Sequence, residues 1–529
     1  MEPFEEDEMP DPKSYARRLV KGSAIVFVAL IASGFIAFLL RMFLARSFSV
    51  EEYGFFYTAI ALVSFFALFR DFGLGSAVVK HIPEFKLRGQ YGRIKSSMTF
   101  ILLFQAILAF LVAVMLFVFS DQIVLAFSSP ADLAIVGMAN ASLVVKILSI
   151  WFFVAIFSLT FRWAFQGFQN MPAYALMSFF EIFFVLLSAI LLVGLFGIGI
   201  GGAAYAYMLA LSVVAVLGFF LFWRGYPRVI KEKVQITKSL IKKLFVFALP
   251  VFIGGLGGLI IGYTDTLMIA GFWSSKQVGF YQTAQPAARI LWYLVTPLVV
   301  VLFPMISELW ARRERKLLRN ALHFLIKFSF ILIIPAALVF IAFPDIVINL
   351  LFGPRYLAGT TVLQILAGAA IVYMLYAILV SVINGIGKPI INTKVVALMA
   401  GINLAGNLLL IPTYGIEGAA ISTFSAYTLG LVLMFYYARK LVKFTLPALS
   451  LLKTVTGGVL TLLIIFGLKS VLVLPPWPEA FVVVIPSLVF YGVWVLATKA
   501  VTKDDLRLIA RILPMPKWLV SAAGRFVGR

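Results

Sequence analysis

No cysteine occurs in the 529 residues, which excludes disulfides, thiol catalysis and thiolate metal sites. Histidine is nearly as rare. His81 and His323 each lie beside a basic loop with no second nitrogen donor nearby in sequence, so neither a metal centre nor a cofactor is expected. Charged residues make up only 12% of the chain, and its 22 acids are outnumbered by 44 lysines and arginines. The net charge of +22 does not point to nucleic acid, because the basic residues are scattered between apolar runs and form no single basic face. Alternating strand patterns with turn signals are missing as well, which argues against a barrel. The opening MEPFEEDEMPDPK is acidic and has no apolar core, so the first apolar run is expected to act as its own insertion signal.

What is abundant is apolar side chain: 63% of residues, with 52 phenylalanines. A helix needs about 20 such residues to cross the hydrocarbon, and every backbone polar group there must be satisfied inside the segment. The expected fold class is an all-α polytopic membrane protein of about fourteen transmembrane helices. The spans are expected near 22–45, 53–79, 97–119, 141–161, 173–196, 201–222, 244–272, 279–306, 324–343, 360–383, 391–411, 418–437, 449–468 and 480–497. Asp11 and Pro12 read as the cap and first turn of the first helix.

Loop charge sets the orientation. With the N-terminus inside, the cytoplasmic segments carry Lys80 to Lys95, Arg224 to Lys243, Arg312 to Arg319 and Arg439 to Lys443, whereas the outer loops hold only Arg46, Lys276, Arg355 and Lys469. This positive-inside asymmetry requires an even number of spans with both termini cytoplasmic, in the cell membrane. The tail 503–529 mixes Leu506, Ile509 and Leu513 with Arg507, Arg511 and Lys517, the pattern of an amphipathic helix on an anionic leaflet.

The chain also repeats itself. EEYGFFYTA from Glu51 matches KQVGFYQTA from Lys276, 225 residues on; GIGGAA from Gly199 matches GIEGAA from Gly415, 216 on; Gly167 in FQGFQNM matches Gly385 in INGIGKP, 218 on. Three matches in one order imply two six-span lobes related by a pseudo-twofold axis along the membrane normal. The expected division is an N-lobe at 1–243, a C-lobe at 244–443, and two extra spans with the basic tail at 444–529.

These motifs, with RDFGLGSAVVKHIPE ending the second span, LLFGPRY after the ninth and YGIEGAA before the twelfth, resemble the Wzx-type polysaccharide-unit flippases of the multidrug/oligosaccharidyl-lipid/polysaccharide exporter superfamily. The resemblance covers nearly the whole chain. It implies a transporter and not an enzyme, which moves a lipid-linked phosphate or pyrophosphate oligosaccharide from the cytoplasmic to the outer leaflet by alternating access, for cell-surface glycan synthesis. It implies membrane lipid and the lipid-linked substrate as partners, a monomeric transport unit, and glycan polymerases or transferases as candidate associates. Two alternatives stay open: an ion-coupled multidrug exporter of the same superfamily, and a non-transporting scaffold of a glycan-synthesis complex.

Ionisable groups inside spans cost several kcal/mol and mark function by default. They are Arg41, Arg70, Asp71, Lys146, Glu181, Asp265 and Arg289, with Lys327 and Lys394 placed to snorkel. Arg289, deep in the eighth span, is the first candidate to hold a phosphate, since a guanidinium matches phosphate oxygens bidentately. Arg41 and Arg70 complete the expected cationic cavity. Asp265, Glu181 and Asp71 are candidates for gating or ion coupling. Arg41 and Asp265 occupy near-equivalent places in the repeat and either pair across the outer rim or find partners within their own lobes. Trp292 or Tyr293 offers a ring face to sugar, or belongs to the interfacial aromatic belt. The GGLGG run at Gly254–Gly258 permits close packing or bending, and no GK[ST] follows it.

Overall fold

The computed structural model describes residues 12–293, 296–472 and 475–502. The regular elements among them are all helical, in two compact units, 1–282 and 283–529. The first unit holds α1 (Pro12–Ser47), α2 (Val50–Phe65), α3 (Ala67–Asp71), α4 (Leu74–Leu87), α5 (Tyr91–Val118), α6 (Ser120–Phe127), α7 (Pro130–Val136), α8 (Met138–Gly167), α9 (Met171–Ala189), α10 (Gly199–Gly225), α11 (Pro227–Lys231) and α12 (Lys238–Phe272). A π-helical turn, Ile190–Leu195, continues α9. Helix α13 (Ser275–Tyr293) straddles the boundary. The second unit continues with α14 (Thr296–Ala311), α15 (Arg315–Ala342), α16 (Pro344–Phe352), α17 (Thr360–Gly385), α18 (Pro389–Val442), α19 (Ala448–Val471) and α20 (Pro476–Ala497). Among the described residues, ten helices are long and apolar enough to cross a membrane. Asp11 and the tail 503–529 lie outside the described residues.

The second expected span is not one helix. It is divided into α2, α3 and α4, and the backbone turns left-handed at Phe72 (φ 47°) and Gly73 (φ 72°). Asp71 holds this break: its carboxylate accepts the Gly75 amide (3.1 Å) and the Gln105 side-chain amide (3.1 Å), and Gln105 also donates to the Asp71 carbonyl (3.0 Å). Backbone groups freed inside a membrane segment need such partners. The eighth expected span is covered by α13 and α14, on either side of residues 294 and 295, which lie outside the described residues. The eleventh and twelfth run together as the 54-residue α18, with non-helical backbone at Gly415 (φ 57°, ψ −131°) just after Pro412.

The repeated motifs adopt repeated geometry. Helix α8 ends with the Asn170 amide bonding the Phe165 carbonyl (2.8 Å) across left-handed Gln169. Helix α17 ends with the Lys388 amide bonding the Ile383 carbonyl (3.1 Å) across left-handed Gly387, the same cap at an offset of 218. In the GIGGAA and GIEGAA pair, Gly199 (φ 65°) and Gly415 (φ 57°) each open a helical run from positive φ. The first motif pair meets directly within the first unit. A Cβ at Gly54 would overlap the Ser275 carbonyl, and one at Gly279 would overlap the Val50 carbonyl, so α2 and α13 cross backbone to backbone.

The same unit gathers α12 and the start of α13, beyond the expected boundary at 243. Three contacts account for this: the glycine crossing, the buried Asp132 carboxylate accepting the Ser275 amide (2.9 Å), and Lys243 pairing with Glu84 (2.7 Å). Lys276 adds an ion pair to Glu51 (3.3 Å). In the GGLGG run, Gly255 and Gly258 face open space, so neither mediates close packing.

Candidate functional site

The predicted charges fall into two networks in the first unit and one site in the second. Arg41, on α1, donates to the Gln282 side-chain oxygen (3.1 Å) and carbonyl (3.3 Å) and lies over the Tyr57 ring (4.3 Å). Gln282 in turn donates to Thr266 (2.6 Å), and its neighbour Tyr281 donates to the Asp265 carboxylate (2.6 Å). Arg41 and Asp265 thus belong to one network through adjacent residues of α13. Tyr53, Tyr57 and Tyr207 supply the rest of the polar surroundings of Arg41.

Arg70 is the penultimate residue of α3, two residues before the break. It donates to the Phe152 carbonyl (2.8 Å) and lies over the Phe152 ring (4.6 Å), with its Nε buried and unbonded. Glu181 on α9 pairs with Arg162 on α8 at 2.8 Å, and this pair lies within electrostatic reach of Arg70. Asp71 is occupied in bracing the break, as described above. Lys146 lies near the Phe117 ring (5.7 Å), Lys327 is buried and Lys394 exposed.

Arg289 stands apart. It sits on α13 in the second unit, half-buried, five residues after the VGFYQTA motif. Among the described residues no hydrogen bond or ion pair reaches its guanidinium, and its Nε is buried without a partner. Its neighbour is the Trp292 ring at 5.6 Å. Trp292 stacks on Tyr373 (4.0 Å, 19°), and Tyr427 closes edge-on against both rings (5.9 and 5.1 Å). The arrangement offers free guanidinium donors beside a cluster of aromatic rings. The Tyr293 side chain lies outside the described residues.

Sequence reasoning missed Arg162, Gln282, Tyr373 and Tyr427. Arg162 follows an apolar run directly and reads as its boundary, although FRWAF places it within the same helix. The partner of each charge depends on cross-helix register, which spacing along one chain does not encode. Among the described residues no cluster of three metal-binding side chains occurs.

The fold and its intramembrane charges define a polytopic helical membrane protein. Comparison with known proteins makes the assignment specific. The chain is 30% identical to an uncharacterized membrane protein of Methanocaldococcus jannaschii, MJ1068, over 87% of this chain and 91% of that one. It is 22% identical to the probable low-salt glycan biosynthesis flippase Agl15 of Haloferax volcanii, over 94% of this chain and the whole of that one. Its fold is similar to a solved structure of the lipid II flippase MurJ in an inward closed conformation, with a TM-score of 0.71 at 14% identity, covering 89% of this chain and 98% of that one. Residues 19–310 match the polysaccharide biosynthesis protein family, and the chain belongs to that family.

Proposed function

We propose that the protein flips a lipid-linked oligosaccharide, joined to its carrier through phosphate or pyrophosphate, from the cytoplasmic to the outer leaflet of the cell membrane by alternating access. The observation that carries this reading is the unanswered guanidinium of Arg289. A permanent cation in an apolar segment is costly, and one left without a protein partner is explained by an anionic ligand that completes it. Arg41 and Arg70 already donate to Gln282 and to the Phe152 carbonyl; Arg70 Nε is also unbonded, but Arg289 is the one of the three that donates to no protein group among the described residues. Trp292 and Tyr373 supply ring faces for the first sugar.

The reading comprises fourteen spans with both termini cytoplasmic. The ten long apolar helices supply eleven, because α18 crosses twice about Gly415; α2–α4 together, α13–α14 together, and α20 supply the others. The Arg162–Glu181 pair beside Arg70 is the proposed coupling element, and the transport unit is one chain. The test is binding of a short-chain polyprenyl-pyrophosphate sugar to the purified protein by calorimetry. Arg289→Ala is expected to weaken binding by roughly tenfold or more, the worth of one charge-assisted hydrogen bond. Unchanged affinity in a folded variant would remove Arg289 from the site.

A further inference from the structure

Apart from these sites, the lysine-rich end of the first unit carries an open pocket of about 480 Å³ between α4 and α12, lined by Lys80, His81, Lys242, Lys243, Val246 and Phe247. Its charge is unbalanced. The carboxylate beside it, Glu84, is already shared among Lys243 (2.7 Å), His81 Nδ1 (3.0 Å) and Arg88 (3.4 Å). Lys80 and Lys242 are exposed and have no ion pair among the described residues, and Lys80 Nζ rests 4.1 Å above the Phe247 ring. From Lys242, the exposed side chains Val246 (67%), Leu249 (51%) and Ile253 (57%) follow at helical spacing down one face of α12. In a spanning helix such a face lies along acyl chains, and the lysine at its polar end reaches the level of the lipid phosphates.

We infer that this pocket binds an anionic membrane phospholipid, with the headgroup phosphate between Lys80 and Lys242 and an acyl chain along Val246, Leu249 and Ile253. The leaflet, the cytoplasmic one, follows from the orientation proposed above; the lipid site itself does not depend on flipping. A free phosphate would use the lysines and leave the apolar face unused, whereas a phospholipid engages both. The bound lipid bridges α4 and α12, the two helices that Glu84 and Lys243 already tie together.

The test is native mass spectrometry of the full chain in detergent, titrated separately with phosphatidylglycerol and phosphatidylcholine, and with inorganic pyrophosphate as competitor. Wild type is expected to retain phosphatidylglycerol preferentially, and the Lys80→Gln/Lys242→Gln variant to lose that preference by roughly tenfold or more, at about one surface-cation contribution per lysine. Lys80→Arg/Lys242→Arg keeps both charges and is expected to keep the preference; Arg289→Ala is expected to leave it unchanged. Both lysines are exposed, and size-exclusion profiles of the variants check that they fold. Equal retention of the two lipids by wild type, or undiminished preference in the glutamine variant, overturns the inference. Displacement of the lipid by equimolar pyrophosphate reassigns the pocket to free phosphate and overturns it as well.

Discussion

Arg289 and Glu84 illustrate opposite fates of a charge in this protein. Arg289 is unanswered by the protein, and geometry rather than charge alone defines its role. Arg289→Lys keeps the cation but loses the planar fork, so it is expected to recover only part of the substrate affinity lost in Arg289→Ala, measured by the same calorimetry. Glu84, beyond the apolar part of its segment, is answered three times over. The hydrogen bonds from Lys243 and His81 pull its carboxyl down to about 2. A depressed carboxylate stabilises the fold above its unfolded value and loses that contribution as pH falls towards the folded one, here between the ordinary carboxylate range and about 2. His81 is also depressed, by burial first, so the unfolded chain takes up that proton earlier and stability begins to fall as pH drops below its ordinary value of 6.5. Thermal unfolding from pH 8 to 2 is expected to show this acid loss, and His81→Gln to flatten its upper part; an identical pH profile in that variant would count against the assignment. Arg289 was legible in the sequence because a lone charge in an apolar run is conspicuous. The Glu84–Lys243 contact, 159 residues apart, was not.

At the scale of elements, the glycines divide sharply by what surrounds them. Gly54 and Gly279 allow α2 and α13 to cross with carbonyls where a Cβ would stand, so Gly54→Ala is expected to destabilise by about 1–3 kcal/mol, as overpacked contacts do. Gly255 and Gly258 face open space in α12, and alanine there is expected to be neutral or to stabilise by up to about 1 kcal/mol through helix propensity. Thermal shift of the four single variants side by side checks this, and equal effects at all four positions would contradict it. The repeated sequence made the positions of Gly54 and Gly279 legible, but not that they touch. The divided second span was also hidden. Phe72 adopts a left-handed backbone that its side chain gives no reason to expect, and it is held by stacking on Phe252 (4.8 Å, 9°) and by the Asp71–Gln105 brace. Apolar runs report length and burial; Gly73 stands at this break, but sequence alone does not tell it from Gly75, which is helical, whereas Pro412 and Gly415 together punctuate the later one.

For the whole molecule, the chain's own composition provides the tool for topology. Because it has no cysteine, a single introduced cysteine is the only thiol in the chain. Lys233→Cys, between α11 and α12, is expected to react with an impermeant maleimide only in opened cells, and Lys276→Cys, at the start of α13, in intact ones. Reaction in the reverse pattern would invert the proposed orientation. The long apolar helices were legible because hydrophobicity is additive along the chain; the proposed substrate site was only half legible, since its arginine shows in the sequence and its aromatic surroundings, Tyr373 and Tyr427, assemble from distant helices. The most direct measurement is transbilayer movement of a fluorescent polyprenyl-pyrophosphate oligosaccharide in proteoliposomes containing wild type or Arg289→Ala. The account predicts protein-dependent flipping by wild type and a loss of roughly tenfold or more in the variant at equal folded protein. Flipping at the wild-type rate by Arg289→Ala would contradict it.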